Sequence, residues 1–125
     1  MRSEEMIKLL PSGLREVLQK MNLDVAGLQE IRLRAEQPAV ILSHGKEYVS
    51  QTVIHRRQLE ETLAYLGNYS LYAYEEEIRR GYLSLPGGHR VGIAGRVVLE
   101  DGNIRTITAI SSLNLRFAHQ ILGCA

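Results

Sequence analysis

The way the second half of this chain is punctuated limits its fold more than any other feature. After Gly81 the segments Tyr82 to Leu85, Arg90 to Leu99, Ile104 to Ala109 and Leu113 to Ala118 read as strands, separated by turn strings such as Pro86-Gly87-Gly88 and Asp101-Gly102-Asn103. Strands joined by so few residues run antiparallel, because a parallel pair needs a crossover of about a dozen residues or more. A largely antiparallel sheet is therefore expected, and any helices must come from earlier in the chain.

Spacing locates those helices. Glu4 to Leu10 is helical in pattern, and after Pro11-Ser12-Gly13 the residues Leu14, Val17, Leu18 and Met21 repeat as one buried helical face, so a helical start covers about residues 4 to 21. From Glu30 the period becomes two, with Ile31, Leu33 and Ala35 on one side and Arg32 and Arg34 on the other. Glu36-Gln37-Pro38 predicts a turn, and Ala39 to Ser43 pairs with Lys46 to Val49 through a tight hairpin at His44-Gly45. A helix from about Arg56 to Leu66 buries Leu59, Leu63 and Leu66 and stops at Gly67-Asn68; Ser70 caps another, Leu71 to Arg80, ended by Gly81.

The expected architecture is α+β in two layers, a mostly antiparallel sheet covered on one face by helices. Residues 1 to 125 form a single domain: mixed strand and helix over 30 to 80, antiparallel strands over 82 to 118. At this length folding buries about two thirds of the chain's surface without disulfides or metal. Cys124 is the one cysteine, so no internal disulfide forms and a reducing compartment is the natural reading. No apolar run approaches the roughly 20 residues of a membrane span, and Met1-Arg2-Ser3-Glu4-Glu5 lacks a signal-peptide layout, so a cytoplasmic location is expected. The ending Ile121-Leu122-Gly123-Cys124-Ala125 carries neither cap nor polar tail and reads as a cut from a longer protein.

Several chemistries find no residues to carry them. His44, His55, His89 and His119 share no ligand spacing, and no serine lies in a G-x-S-x-G elbow. Glu75, Glu76 and Glu77 are consecutive on a helix, about 100° apart, and suit a solvated face better than an acid and base pair. The phosphate loop G-x-x-x-x-G-K-[ST] is absent. Gly92-Ile93-Ala94-Gly95 matches a KH loop only formally, since it interrupts a β pattern instead of joining two helices.

Arginines remain. Twelve of the fifteen basic residues are Arg, and the charge balance is −3 over residues 1 to 77 but +4 over residues 78 to 125. Arg90 and Arg96 share parity with small Gly92 and Ala94 between them, Arg32 and Arg34 share a strand face, and Arg116 points away from Leu113, Leu115 and Phe117. One side of the sheet thus presents arginines to a phosphate or an acidic surface, since the guanidinium fork suits both. An ordinary solvent face fits the same pattern equally well.

The strings Glu30-Ile31-Arg32-Leu33-Arg34-Ala35, Tyr69-Ser70-Leu71-Tyr72-Ala73, Glu77 with Gly81-Tyr82, Pro86-Gly87-Gly88-His89-Arg90-Val91-Gly92, Gly95-Arg96 and Ile110-Ser111-Ser112-Leu113-Asn114-Leu115-Arg116 carry a resemblance. Together they resemble the N-terminal region of the stage III sporulation protein AA family, relatives of type II and type IV secretion ATPases. The resemblance implies a P-loop ATPase domain beyond Gly123-Cys124-Ala125, with ATP and magnesium bound there, no cofactor here, and no enzyme activity in this part alone. It implies an N-terminal regulatory and assembly domain of a hexameric ATPase, set against its own C-terminal domain and neighbouring copies. It further implies membrane partners in a channel complex between mother cell and forespore, on the cytoplasmic side of the mother cell, without nucleic acid. Arg90 and Arg116 are similar to strand arginines that reach nucleotide in those relatives, with Arg96 and Arg32 as second choices, and His89 either stabilises its turn, the preferred role, or donates to phosphate. Two other classes stay open: a single-stranded nucleic-acid module stacking bases on Tyr69, Tyr72, Tyr74 and Tyr82, and a purely structural oligomerisation domain. Three of those tyrosines fall in or beside a helix, and no large positive balance accompanies them.

Overall fold

The structure is a computed structural model and describes residues 7–8, 10, 12–23, 25–67, 74–100 and 103–118. Helix α1 (Ser12–Lys20) and a 3-10 turn (Val25–Gly27) precede strands β1 (Leu28–Arg34), β2 (Gln37–Ser43) and β3 (Lys46–Ile54). Helices α2 (Arg56–Gly67) and α3 (Tyr74–Arg80) follow, then β4 (Tyr82–Ser84), β5 (Arg90–Glu100) and β6 (Asn103–Arg116). All six strands form one antiparallel sheet in the order β3-β2-β1-β6-β5-β4. The fold is α+β with the helices on one face, as the turn spacing implies.

Local chemistry sets the element ends. Asn22 takes a left-handed φ of 51° and closes α1, and Gly81 at φ 84° closes α3 while its N–H bonds the Ile78 carbonyl. His55 precedes α2, and the Gln58 side chain accepts its backbone N–H at 2.8 Å, half of a capping box. His44 and Gly45 hold φ values of 48° and 75°, the two left-handed residues of a type I′ hairpin turn.

Strand alternation sorts the sheet into two faces. Ile31 and Leu33 of β1, Ala39 and Ile41 of β2, Leu83 of β4, Val91 of β5 and Leu113 and Leu115 of β6 are fully buried, in one cluster with Leu14 and Leu18 of α1, Leu59, Leu63 and Leu66 of α2 and Ile78 of α3. The other face carries Glu30, Arg32 and Arg34, Asn114 and Arg116, and Arg90, with no helix described over it.

Four boundaries differ from the sequence reading. The segments Ile104 to Ala109 and Leu113 to Ala118 are one strand, because a bulge at Ala109 (φ 49°) absorbs the broken alternation. Across it Ala94 pairs with Ser112 but Arg96 with Thr108, so β6 spends two extra residues. Pro38 lies inside β2, not in a turn, at an irregularity where the Ser50 hydroxyl accepts the Ala39 N–H at 2.9 Å and donates to the Thr52 carbonyl at 2.7 Å. That irregularity also lets β3 run on to Ile54 instead of ending at Val49. Ala35 falls in the β1–β2 turn with Glu36, whose φ is 62°. The expected Ser70 cap, most of the Glu4 to Leu10 helix and the turn at Asp101-Gly102 lie outside the described residues.

Leu63 is 6% exposed within the core. Leu63→Ala is expected to lower unfolding free energy by about 2–5 kcal/mol. Denaturant titration checks this, and an unchanged midpoint would place that helix face wrongly.

Candidate functional site

Register assembles the arginines. On the open face Ser84, Arg90, Arg116, Glu30, Leu42 and Glu47 lie in one row across β4, β5, β6, β1, β2 and β3. The next row contains Tyr82, Gly92, Asn114, Arg32, Val40 and Val49. Arg90 and Arg116 are therefore directly opposite each other, a like-charged pair that costs stability unless something offsets it.

Two neighbours provide the offset. Glu30 places Oε1 at 3.6 Å from Arg116 Nε, while its Oε2 takes Arg32 Nε at 3.3 Å and Nη2 at 3.2 Å. On the other side, the Arg90 guanidinium lies 4.2 Å from the centroid of the Tyr82 ring, a cation–π contact for which side-chain-free Gly92, opposite Tyr82, leaves room. The Glu30 carboxyl is only 12% exposed. Burial alone would raise its pKa, but hydrogen bonds from Asn114 and Arg32 and the charges of Arg32 and Arg116 hold it below the ordinary carboxylate value.

These contacts separate the four candidate arginines. Arg32 is committed, since its remaining nitrogen Nη1 reaches Glu47 Oε1 at 3.3 Å. Among the described residues Arg116 has one ion pair, at 3.6 Å, and a side chain 72% exposed, and Arg90 is exposed above Tyr82. Arg96 lies beyond the bulge, exposed and opposite Thr108, apart from the pair.

Arg90 and Arg116 border a cleft of about 470 Å³ at the end of the sheet, together with Ser84, Gly88, His89 and Phe117. Its wall is rigid. His89 is 2% exposed, its carbonyl accepts the Leu85 N–H at 2.9 Å, and its Nδ1 accepts the Ala118 N–H at 3.0 Å. The ring meets Phe117 edge-on at 5.7 Å. His89 thus ties the β4–β5 turn to the end of β6, the turn role preferred from sequence. From behind, the buried Glu77 carboxylate of α3 accepts the Ser84 N–H at 3.0 Å. Two guanidinium groups on a fixed frame can bind a phosphate or carboxylate. Among the described residues no group of His, Cys, Asp or Glu can hold a metal ion, and no helix is long and apolar enough to cross a membrane.

The profile of a family described as sporulation stage III, protein AA, matches residues 1–125. The chain belongs to the stage III sporulation protein AA family. Stage III sporulation protein AA of Bacillus subtilis (strain 168) is 34% identical over 122 residues, which cover 97% of this chain and 40% of that protein. The chain thus spans about two fifths of the length of this curated relative. Among solved structures, the VirB11 ATPase of the Brucella suis type IV secretion system matches with a TM-score of 0.46 at 15% identity, over 94% of this chain and 34% of that one. The Legionella pneumophila ATPase DotB matches with a TM-score of 0.45 at 14% identity, over 86% and 29%.

In this chain the structure brings Arg90 and Arg116 together, joins Arg32 to them through Glu30, and leaves Arg96 apart. Glu30, Tyr82 and Asn114 complete the site, yet from sequence they figured only in motifs or as a stacking candidate. The alternation Glu30-Ile31-Arg32 already put an acid and a base on one strand face. Which strand lies beside it, and so that Arg116 is the third partner, depends on register.

Because the folded Glu30 pKa is depressed, its stabilisation is complete above the unfolded carboxylate range near about 4.3 and is lost as pH falls through the lower folded value. Glu30→Gln is expected to be less stable at neutral pH and to lose less stability on acidification. Urea midpoints at neutral and acid pH check this, and parallel pH profiles for the two proteins would contradict it.

Proposed function

We propose that this chain is the N-terminal regulatory and assembly domain of a longer, ring-forming ATPase of endospore formation, and that Arg90 and Arg116 face an anion supplied by the rest of the assembly. The observation that carries this reading is the Arg90–Arg116 pair, opposed across β5 and β6 and open to a cleft. Like charges held so close are stabilised when an anion enters between them, and nucleotide phosphate is an anion such an ATPase would supply. The family match supports the sporulation context.

In this reading ATP and magnesium are held by the ATPase domain outside this chain, because the sequence contains no phosphate loop. The task of this domain is positional. Arg90 and Arg116 neutralise charge on the phosphates only when the domain is docked, so nucleotide state and domain position become linked, as with arginine fingers. In a hexamer the phosphate belongs to the same chain or to its neighbour, and repeated docking drives a channel complex of membrane proteins between mother cell and forespore from the cytoplasmic side of the mother cell.

The structural oligomerisation reading has one observation in its favour: Glu30 and Glu47 already engage Arg32 inside the domain. The nucleic-acid reading has less, since Tyr82 is occupied by Arg90 and Tyr74 belongs to α3, while Tyr69 and Tyr72 fall outside the described residues.

Two measurements test the proposal. The 125-residue chain is expected neither to hydrolyse ATP nor to bind it at micromolar concentration, by phosphate release and calorimetry. In the full-length parent, Arg90→Ala and Arg116→Ala are expected to lower ATP turnover, by up to about a thousandfold if the side chain contacts the transferred phosphate, with poor rescue by Lys. Normal turnover with failed ring assembly would assign both arginines to the subunit interface instead.

A further inference from the structure

The opposite side of the sheet from β4 carries a feature that the arginine pair does not use. β3 is an outermost strand nine residues long, whereas the other edge, β4, is three residues long and has α3 bonded to it through Glu77. A cleft of about 320 Å³ lies beside β3, lined by Val17 and Lys20 of α1, by Met21 just after it and by residues 48–52. Successive strand residues point to opposite faces. A cleft touched by Tyr48 and Val49, which have opposite parity, and by α1 therefore lies at the margin of the sheet, between the edge of β3 and that helix.

Both affinity and register are provided for there. Among the described residues the outward backbone N–H and C=O groups of β3 have no ladder partner, and such an edge templates another strand. Tyr48 and Val49 stand 37% and 61% exposed, one toward each face. Beyond them Ser50 turns its hydroxyl onto the backbone and distorts the strand, which limits regular pairing to Lys46–Val49. Charge gives the edge a sign. Glu47 is paired with Arg32 at 3.3 Å, while among the described residues neither Lys46 nor Lys20, the one charged residue lining the cleft, forms an ion pair.

We propose that β3 is a docking edge for an extended acidic peptide segment of a partner protein, which adds a strand along Lys46–Val49 and places a side chain in the cleft beside Lys20. Backbone bonds supply affinity and the cleft supplies selectivity, the division of labour common to strand addition. The site is independent of Arg90 and Arg116.

The test uses the chain labelled for amide NMR and a synthetic eight-residue peptide alternating Val or Thr with Glu, against the same peptide with Lys in place of Glu. The acidic peptide is expected to bind, to slow hydrogen exchange at residues 46–49, and to weaken with added salt. Lys20→Glu is expected to reduce its affinity about three- to tenfold and Lys20→Arg to preserve it, circular dichroism confirming that both fold. Equal binding of the two peptides, perturbation centred on Arg90 and Arg116, no binding, or dimerisation of the chain through β3 would each overturn the proposal. Because the peptide comparison needs no substitution, the outcome stands even if a Lys20 variant misfolds.

Discussion

The carboxylate of Glu30 is the interaction on which the open face depends. A six-stranded sheet with helices on one side leaves a second side with no helix described over it, and here three arginines gather on the β6 side of that face. Arg32, Arg116 and Arg90 lie within two adjacent rows, and Glu30 is the acid set among them. Burial opposes its ionisation, and its hydrogen bonds and two guanidinium neighbours overcome that opposition. Without the charge, the bonds from Arg32 to Oε2 would lose their charge assistance, and the opposed charges of Arg116 and Arg90 would lose the carboxylate that offsets them. The carboxylate therefore fixes which arginine is structural and which stays available.

Much of the fold was legible because its signals are local. The apolar spacing of Leu14, Val17 and Leu18 and of Leu59, Leu63 and Leu66 fixed two helix faces, and His44-Gly45 marked a hairpin from its turn chemistry alone. Three of the four misread boundaries share a cause. At Ala109 and at Pro38 the alternation breaks, and a break reads as a loop unless a neighbouring strand is known to absorb it as a bulge. The candidate site was legible in the same proportion. Strand parity puts Arg90, Arg116 and Arg32 on one face, but the opposition of Arg90 to Arg116 and the convergence of Arg32 and Arg116 on Glu30 are products of register between segments tens of residues apart.

The two ends of the sheet suit different tasks. At the β4–β5–β6 end, His89 and Glu77 bond the backbone that carries two exposed guanidinium groups, which a small anion can bridge. At the β3 edge the backbone itself is the recognition element, bounded by a local distortion. A domain with an anion-facing end and a strand-accepting edge can engage a nucleotide-bearing body and a partner polypeptide at once. This arrangement is the one proposed for a domain that links an ATPase to a membrane complex.

A structure of the full-length parent with a non-hydrolysable ATP analogue and magnesium tests the central claim most directly. The expected result places the guanidinium groups of Arg90 and Arg116 within hydrogen-bond distance, about 2.7–2.9 Å, of a nucleotide phosphate oxygen, from the same chain or a neighbour, with Glu30 still paired to Arg32. If both arginines face solvent or a protein carboxylate in every subunit of the nucleotide-bound ring, the open face is an assembly surface and the anion-facing account is wrong.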